Sequence, residues 1–302
     1  MSKVTVQTVR AFVSGDLSGG NPAGVVVNAP LLSDSEYIQI ARKMGYSETA
    51  FVLPPSDATK ADFKVRFFTP SEEVDLCGHA TIATFGMMHK QGILKSATYT
   101  QETKAGFLAV FIDEQGKVWM TQTQPEFGVT LSPHQRLDVA AMLKISPEAL
   151  DTNLPIQMVS TGVREIHVPV RTKKILHAIQ PDFQTMAALS RQFGVIGFHV
   201  HTRDTLYPQS TAMTRNFAPL VGINEESATG TANGALSAYL FHHKVIETEK
   251  AQNLIFEQGY SMDLPSEIFT RLTINGDYIE KVEVGGITEP ESIHEVILNA
   301  VA

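Results

Sequence analysis

Cysteine is nearly absent: the 302-residue chain has one, Cys77. That excludes an intrachain disulfide and any cysteine-rich metal site, and it accords with a reducing cytoplasm. Basic residues are also scarce, 24 Lys and Arg against 32 Asp and Glu for a net charge of −8, and no basic run is longer than Lys173-Lys174. Neutralising phosphates takes clustered Lys and Arg, so no nucleic-acid partner is expected, and an acidic membrane surface is disfavoured on the same ground. Long apolar runs are missing too. Stretches such as Ala23 to Val27 and Val195 to Phe198 fall far short of the roughly 20 residues that cross a bilayer. Met1 to Arg10 alternates apolar and polar like a strand and lacks the apolar core of a secretory signal. No membrane segment is expected, and the cytoplasm is the default location. The glycine-rich cradles of dinucleotide and nucleotide enzymes do not occur, and the ten histidines show neither His-Glu-x-x-His nor the spacing of a zinc site, so no cofactor and no metal are expected.

What remains is ordinary globular material. At 43% hydrophobic and 19% charged, the chain is far from the disordered regime and can bury a large core. Helix-like and strand-like segments alternate throughout, which predicts a mixed α and β protein. Ser33-Asp34-Ser35-Glu36 is a capping-box pattern opening a helix to about Met44, and Ser132-Pro133 opens another to about Lys144. Two further helices are predicted at His79 to Lys90 and at Thr231 to about Lys244, each following a glycine. Short strands at Lys64 to Phe68, Thr98 to Glu102, Phe107 to Ile112 and Val118 to Thr123 suggest antiparallel pairing.

The chain also repeats itself. Arg66-Phe67-Phe68-Thr69-Pro70 matches Arg215-Asn216-Phe217-Ala218-Pro219, and Cys77-Gly78-His79-Ala80-Thr81 matches Thr229-Gly230-Thr231-Ala232-Asn233, at offsets of 149 and 152 residues. Acidic residues, Glu72-Glu73 and Glu225-Glu226, lie between the two motifs in each copy. Five-residue matches arise by chance, but two in order at half the chain length predict duplication, with a boundary between residues 125 and 155.

Three places could carry chemistry. The helix starts at Gly78-His79 and Gly230-Thr231 offer unpaired backbone N–H groups and the positive end of a dipole, and so a seat for a carboxylate. The glycines could equally serve only a tight turn. Glu48, in Tyr46-Ser47-Glu48-Thr49-Ala50-Phe51, enters an apolar strand, a setting suited to a carboxyl that takes and returns a proton; a solvated edge-strand glutamate would look the same. Cys77, two residues from His79, invites a thiolate reading, but side chains so close in sequence are not expected to face each other, and a lone cysteine is usually a small buried hydrophobe.

These residues carry a family resemblance. Asn21-Pro22-Ala23-Gly24-Val25, Ser47-Glu48-Thr49, Arg66-x-Phe-Thr-Pro-x-x-Glu73-x-x-x-Cys77-Gly78-His79-Ala80-Thr81, and Arg215-x-Phe217-Ala218-Pro219 running on to Glu225-Glu226-x-Ala228-Thr229-Gly230-Thr231 stand in the order seen in the PhzF family. Glu257-Gln258-Gly259 with Pro265-Ser266 resembles its closing motif. The chain therefore resembles the phenazine-biosynthesis-like proteins, related in fold to diaminopimelate epimerase. The resemblance implies an α+β fold of two pseudo-two-fold-related halves, each a curved mixed β-sheet wrapped around a central helix, with the active site between them. The halves would be residues 1–125 and 126–302, the extreme C-terminus being free to pack back on the first. It implies a cofactor-independent isomerase, a homodimer, acting on a small carboxylate-bearing metabolite. By motif position Glu48 would be the acid/base, with His79 and Glu226 as catalytic partners, and Gly78, Gly230, Thr231 and Cys77 would bind substrate.

Some positions depart from the pattern. The second carboxylate is Glu226 where the phenazine enzyme has Asp, Thr231 stands for Ser, and no Arg precedes Pro265-Ser266. Diaminopimelate epimerase uses one cysteine from each half; Cys77 fits the first position, but Thr229 occupies the second, and a hydroxyl cannot replace a thiol as base. An epimerase pairing Glu48 with Cys77 or Glu226, a hydrolase-like activity and a non-catalytic metabolite-binding protein remain as alternatives.

Overall fold

The computed structural model describes residues 3–298. The chain separates into two compact units, Met1–Thr121 with Gly285–Ala302, and Gln122–Val284. Residues 285–298, assigned above to the second half with the option of packing back, thus lie with the first unit. Among the described residues there are six α-helices, none long and apolar enough to cross a membrane.

The first unit contains β1 (Lys3–Ala11), β2 (Asn21–Val26), α1 (Asp34–Met44), β3 (Thr49–Leu53), β4 (Phe63–Phe68), β5 (Glu73–Val74), α2 (Gly78–Lys90), β6 (Thr98–Thr103), β7 (Gly106–Ile112), β8 (Val118–Thr121) and the C-terminal strand Thr288–Ile297. β1 pairs antiparallel with both β2 and the C-terminal strand. β2 runs parallel to β3, β3 antiparallel to β4, and β4 parallel to β6 while carrying short β5 on its end; β6, β7 and β8 follow as an antiparallel meander. α2 is buried from His79 to Met88 and touches β1, β2, β3, β7, β8 and the C-terminal strand. A helix apolar on every side needs such wrapping, because a single sheet face would leave half of it in water. A Cβ added at Gly86 would stand 2.3 Å from Thr288 Oγ1, which shows how closely helix and strand approach.

α1 begins with the capping box, Ser33 N–H donating to Glu36 Oε2 at 2.9 Å, and ends at Gly45 in the left-handed region at φ +72°. Its Tyr37, Ile40 and Ala41 pack with Phe51, Phe68 and Val26. That packing sets where the chain turns into β3, and so where Glu48 lies.

The second unit contains β9 (Glu126–Thr130), α3 (Pro133–Leu143), β10 (Gln157–Ser160), β11 (Arg164–Pro169), α4 (Lys173–Ala178), α5 (Phe183–Phe193), β12 (Gly197–Thr202), β13 (Ala212–Ala218), β14 (Ile223–Glu226), α6 (Gly230–His242), β15 (Leu254–Gln258), β16 (Ser266–Asn275) and all but the last two residues of β17 (Tyr278–Gly286). Its pairing repeats that of the first. β11 is parallel to β12, β12 antiparallel to β13, and β13 carries short β14 while running parallel to β15, which pairs antiparallel with β16. α6 sits between β14 and β15 as α2 does between β5 and β6, and is buried from Ala232 to Phe241.

The repeated Arg motif explains itself in this frame. Arg66 donates through Nε and Nη2 to both oxygens of Glu73, at 2.7 and 2.8 Å, and lies 4.9 Å over the Phe68 ring. Arg215 grips Glu225 at 2.8 and 2.8 Å and lies 4.9 Å over Phe217. In each unit the fork ties the long strand to the short one just before the buried helix starts.

Candidate active site

Glu48 leaves the α1 turn and precedes β3, and its carbonyl accepts from Gly24 N–H at 3.2 Å. Its side chain is 16% exposed, and Oε2 is buried with no hydrogen-bond partner among the described residues. That oxygen lies 3.5 Å from His79 Nε2. His79, in the first turn of α2 and buried, also has Ser47 Oγ at 3.4 Å from Nε2. A largely buried carboxyl oxygen beside an imidazole, with no hydrogen-bond partner among the described residues, is an arrangement that could exchange a proton with a bound molecule.

Cys77 and His79 do face each other, against the sequence expectation: Cys77 Sγ lies 3.5 Å from His79 Nδ1. The reason is local. Cys77 is the residue before the helix, in extended conformation at φ −135°, so its side chain folds over the first turn instead of pointing along the spiral. Glu48, Cys77 and His79 offer donor atoms all within 4.8 Å of one another, a spacing that a small divalent cation could bridge.

Both buried helices begin without a side-chain cap. Neither Cys77 nor Thr229 accepts a hydrogen bond from its own first turn through its side chain. A Cβ added at Gly78 would meet nothing within 4 Å, and its φ is not positive, so the glycine there answers to neither backbone strain nor packing. It leaves space in front of the first-turn amides.

In the second unit, Glu225 and Glu226 divide their work. Glu225 holds Arg215, whereas Glu226 Oε2 accepts from the Thr229 hydroxyl at 2.6 Å. Gln258 Nε2 donates to the Glu226 carbonyl at 2.8 Å and to Thr229 Oγ1 at 3.1 Å, and its Oε1 accepts from Thr229 N–H at 3.1 Å. Asn233 Nδ2 donates to the Thr229 carbonyl at 2.9 Å. Gln258 and Asn233 thus hold the turn that presents Gly230 and Thr231. Neither was singled out as a site residue from the sequence, although Gln258 lies in the motif matched near the C-terminus. A cavity of about 570 Å³ lined by Arg203, Gln209 and Lys250, among others, contains none of these residues.

Comparison with known proteins identifies the family. The family described as phenazine biosynthesis-like protein matches residues 9–290. An uncharacterized isomerase of Clostridium acetobutylicum is 34% identical over 287 residues, covering 93% of this chain and 94% of its own. The trans-2,3-dihydro-3-hydroxyanthranilate isomerase of Pseudomonas chlororaphis is 29% identical over 280 residues, covering 92% and 94%. The crystal structure of a Bacillus anthracis phenazine biosynthesis protein of the PhzF family superposes with a TM-score of 0.88 at 29% identity, over 99% of this chain and 100% of the other. The motif order, the repeated fold and these matches together assign the chain to the phenazine biosynthesis-like, PhzF, family of isomerases.

Proposed function

We propose that this isomerase works without a cofactor, moving a proton between two carbons of a small carboxylate-bearing metabolite through Glu48. The observation that carries the reading is the buried Glu48 Oε2, which has no hydrogen-bond partner among the described residues and lies 3.5 Å from His79 Nε2. In the reaction Glu48 takes a proton from an acidic carbon, the electron pair left behind spreads into the adjoining unsaturated system, and Glu48 returns the same proton to a second carbon, so that nothing is gained or lost. His79 steadies the carboxyl as its charge changes. The open amides at Gly78, next to Cys77, bind the substrate carboxylate; by motif position Gly230 and Thr231 also bind substrate and Glu226 supplies a second carboxyl. A substrate of this class is in keeping with the dihydro-hydroxyanthranilate named for the Pseudomonas relative. On the same reading the chain works as a homodimer in the cytoplasm; light scattering after gel filtration reads the oligomeric state.

The contact between Cys77 Sγ and His79 Nδ1 favours one second reading, an epimerase that pairs Glu48 with the Cys77 thiol. One experiment separates the two. Wild type and Glu48→Gln, both checked for folding by thermal melt, are incubated in D₂O with a panel of small carboxylates and followed by NMR. The isomerase reading expects deuterium and a shifted double bond in wild type, reduced about 100-fold or more in the variant. Deuterium at an α-carbon with loss of chirality supports the epimerase. Binding to both proteins with exchange in neither supports a metabolite-binding protein and overturns the proposal.

A further inference from the structure

Seven side chains of the second unit form one unbroken hydrogen-bond chain that the proposed reaction does not explain. It begins at Glu165 on β11, which is 1% exposed, passes through Asn216 on β13, His199 on β12, Asn233 on α6 and Gln258 on β15, and reaches Thr229 and Glu226. The separations are 3.2 Å from Glu165 Oε1 to the Asn216 amide, 2.9 Å from that amide to His199 Nδ1, 3.3 Å from His199 Nε2 to Asn233 Oδ1, 2.8 Å from Asn233 Nδ2 to Gln258 Oε1, 3.1 Å from Gln258 Nε2 to Thr229 Oγ1, and 2.6 Å from Thr229 Oγ1 to Glu226 Oε2.

Donor accounting fixes the direction of the chain. Asn233 spends its amide hydrogens on Gln258 and on the Thr229 carbonyl, so its oxygen must face His199 Nε2 and accept from it. With Nε2 carrying the hydrogen, a neutral His199 presents a lone pair at Nδ1, which requires the NH₂ end of Asn216 there. An amide's two ends are interchangeable in outline, and this accounting turns Asn216 so that its oxygen meets Glu165. Glu165 must then donate. The alternative that also satisfies each link, a doubly protonated His199 with an ionised Glu165, sets two charges in a fully buried site.

We propose that Glu165 is a positioning residue heading a one-way chain, Glu165 to Asn216 to His199 to Asn233 to Gln258 to Thr229, which ends on the Glu226 carboxylate and orients it. Electrostatics agree. Burial, and then the nearby Glu226, push Glu165 up to about 8 even with the Asn216 NH₂ end set toward it, and turning that amide removes the one opposing hydrogen bond, so Glu165 carries a proton at neutral pH; burial holds His199 down at about 4. Of the other titratable groups on these strands, His167 and His201 are fully buried and likewise pushed down, Arg215 is paired with Glu225, Arg164 with Glu126, and the Glu257 carboxylate accepts from the Leu206 and Tyr207 N–H groups. Links that all donate in one sense polarise one another, and removing the first donor weakens the last.

The importance of this chain for turnover rests on the reading of Glu226 as a site residue, but its existence is tested without substrate. In wild type, ¹⁵N-imidazole NMR is expected to show His199 neutral with its hydrogen on Nε2 at pH 7, and ¹³C-carboxyl NMR to show Glu165 protonated, the signal being assigned by Glu165→Gln. Glu165→Gln still donates and is expected to keep the Nε2–H form. Glu165→Met cannot donate to Asn216; the Asn233 oxygen still requires Nε2–H on His199, so the tautomer is expected to persist while the Asn216 oxygen loses its donor and the Glu226 carboxyl signal shifts. An ionised Glu165, an Nδ1–H or doubly protonated His199 in wild type, or an unmoved Glu226 signal in a folded Glu165→Met variant overturns the proposal. The wild-type measurements decide it if that variant fails to fold. In the D₂O assay, kcat is expected to fall about tenfold in Glu165→Met with KM little changed, and Glu165→Gln to recover most of the loss. Absence of exchange in wild type counts against the isomerase reading alone.

Discussion

Gly24 on β2 and Thr49 on β3 are register partners of a parallel pair, and a Cβ built on Gly24 would stand 2.7 Å from Thr49 Oγ1. No side chain fits there, and the Gly24 N–H holds the Glu48 carbonyl at 3.2 Å. The Asn-Pro-Ala-Gly-Val and Ser-Glu-Thr motifs are thus two sides of one contact. Gly24→Ala is expected to destabilise the fold by about 1–3 kcal/mol through overpacking. It should also lower proton exchange by more than the loss of folded protein explains, because Thr49 can retreat only by moving Glu48. Thermal melts and the D₂O assay at a temperature where the variant is folded check both parts.

The two Arg–Glu forks are alike in geometry and unlike in burial. The Arg215 side chain is 9% exposed and also donates through Nη1 to the Leu176 and Ile179 carbonyls, at 3.0 and 2.9 Å, whereas that of Arg66 is 20% exposed and reaches exposed Asp34. Removing Arg215 strands a half-buried carboxylate and two carbonyls. Arg215→Ala is therefore expected to cost about 3–5 kcal/mol, and Arg66→Ala less. Urea denaturation of both variants checks the ranking.

Stability should peak near pH 6.5. His199 and His201 are held at about 4 and about 3, below their ordinary 6.5, and His167 well below it. Between these values and 6.5 the unfolded chain binds more protons, so stability rises with pH and is lost on acidification. Glu165 has the opposite sign: raised from 4.5 to about 8, it binds its proton more tightly when folded, so stability falls as pH rises through that interval. Three histidines outweigh one carboxyl up to 6.5, and above it Glu165 acts alone. A melting temperature that climbs to about pH 6.5 and then declines to about 8, the decline vanishing in Glu165→Gln, is the expected profile.

Proton transfer by a carboxyl needs no metal, so exhaustive chelation is expected to leave exchange unchanged. Added Zn²⁺ is expected to inhibit by bridging Glu48, Cys77 and His79, whose donor atoms lie within 4.8 Å of one another. Cys77→Ser should weaken that inhibition. Activity lost to a chelator and restored by a metal would contradict the mechanism proposed.

Much was legible in the sequence because it is encoded between near neighbours. The capping box at Ser33 and Glu36, the Pro after Ser132 and the glycines that open α2 and α6 mark helix starts through backbone groups a few residues apart. The duplication could be read from two short motifs, and the repeated strand pairing agrees with it. The family motifs drew Glu48, His79 and Glu226 out of the chain. Only the tertiary structure decided what those groups touch. Glu48 and His79 meet because α1 packs on β3 and α2 lies inside the sheet, and Cys77 turns toward His79 because it precedes the helix in extended form. Glu165 stands in no recognised motif, and in the sequence it is one glutamate at the start of an apolar strand. Its desolvation and its place at the head of a seven-residue chain come from β11, β12, β13, β15 and α6 meeting in space. Propensity and capping act over a few residues, whereas burial, desolvation and donor accounting belong to groups far apart in the chain.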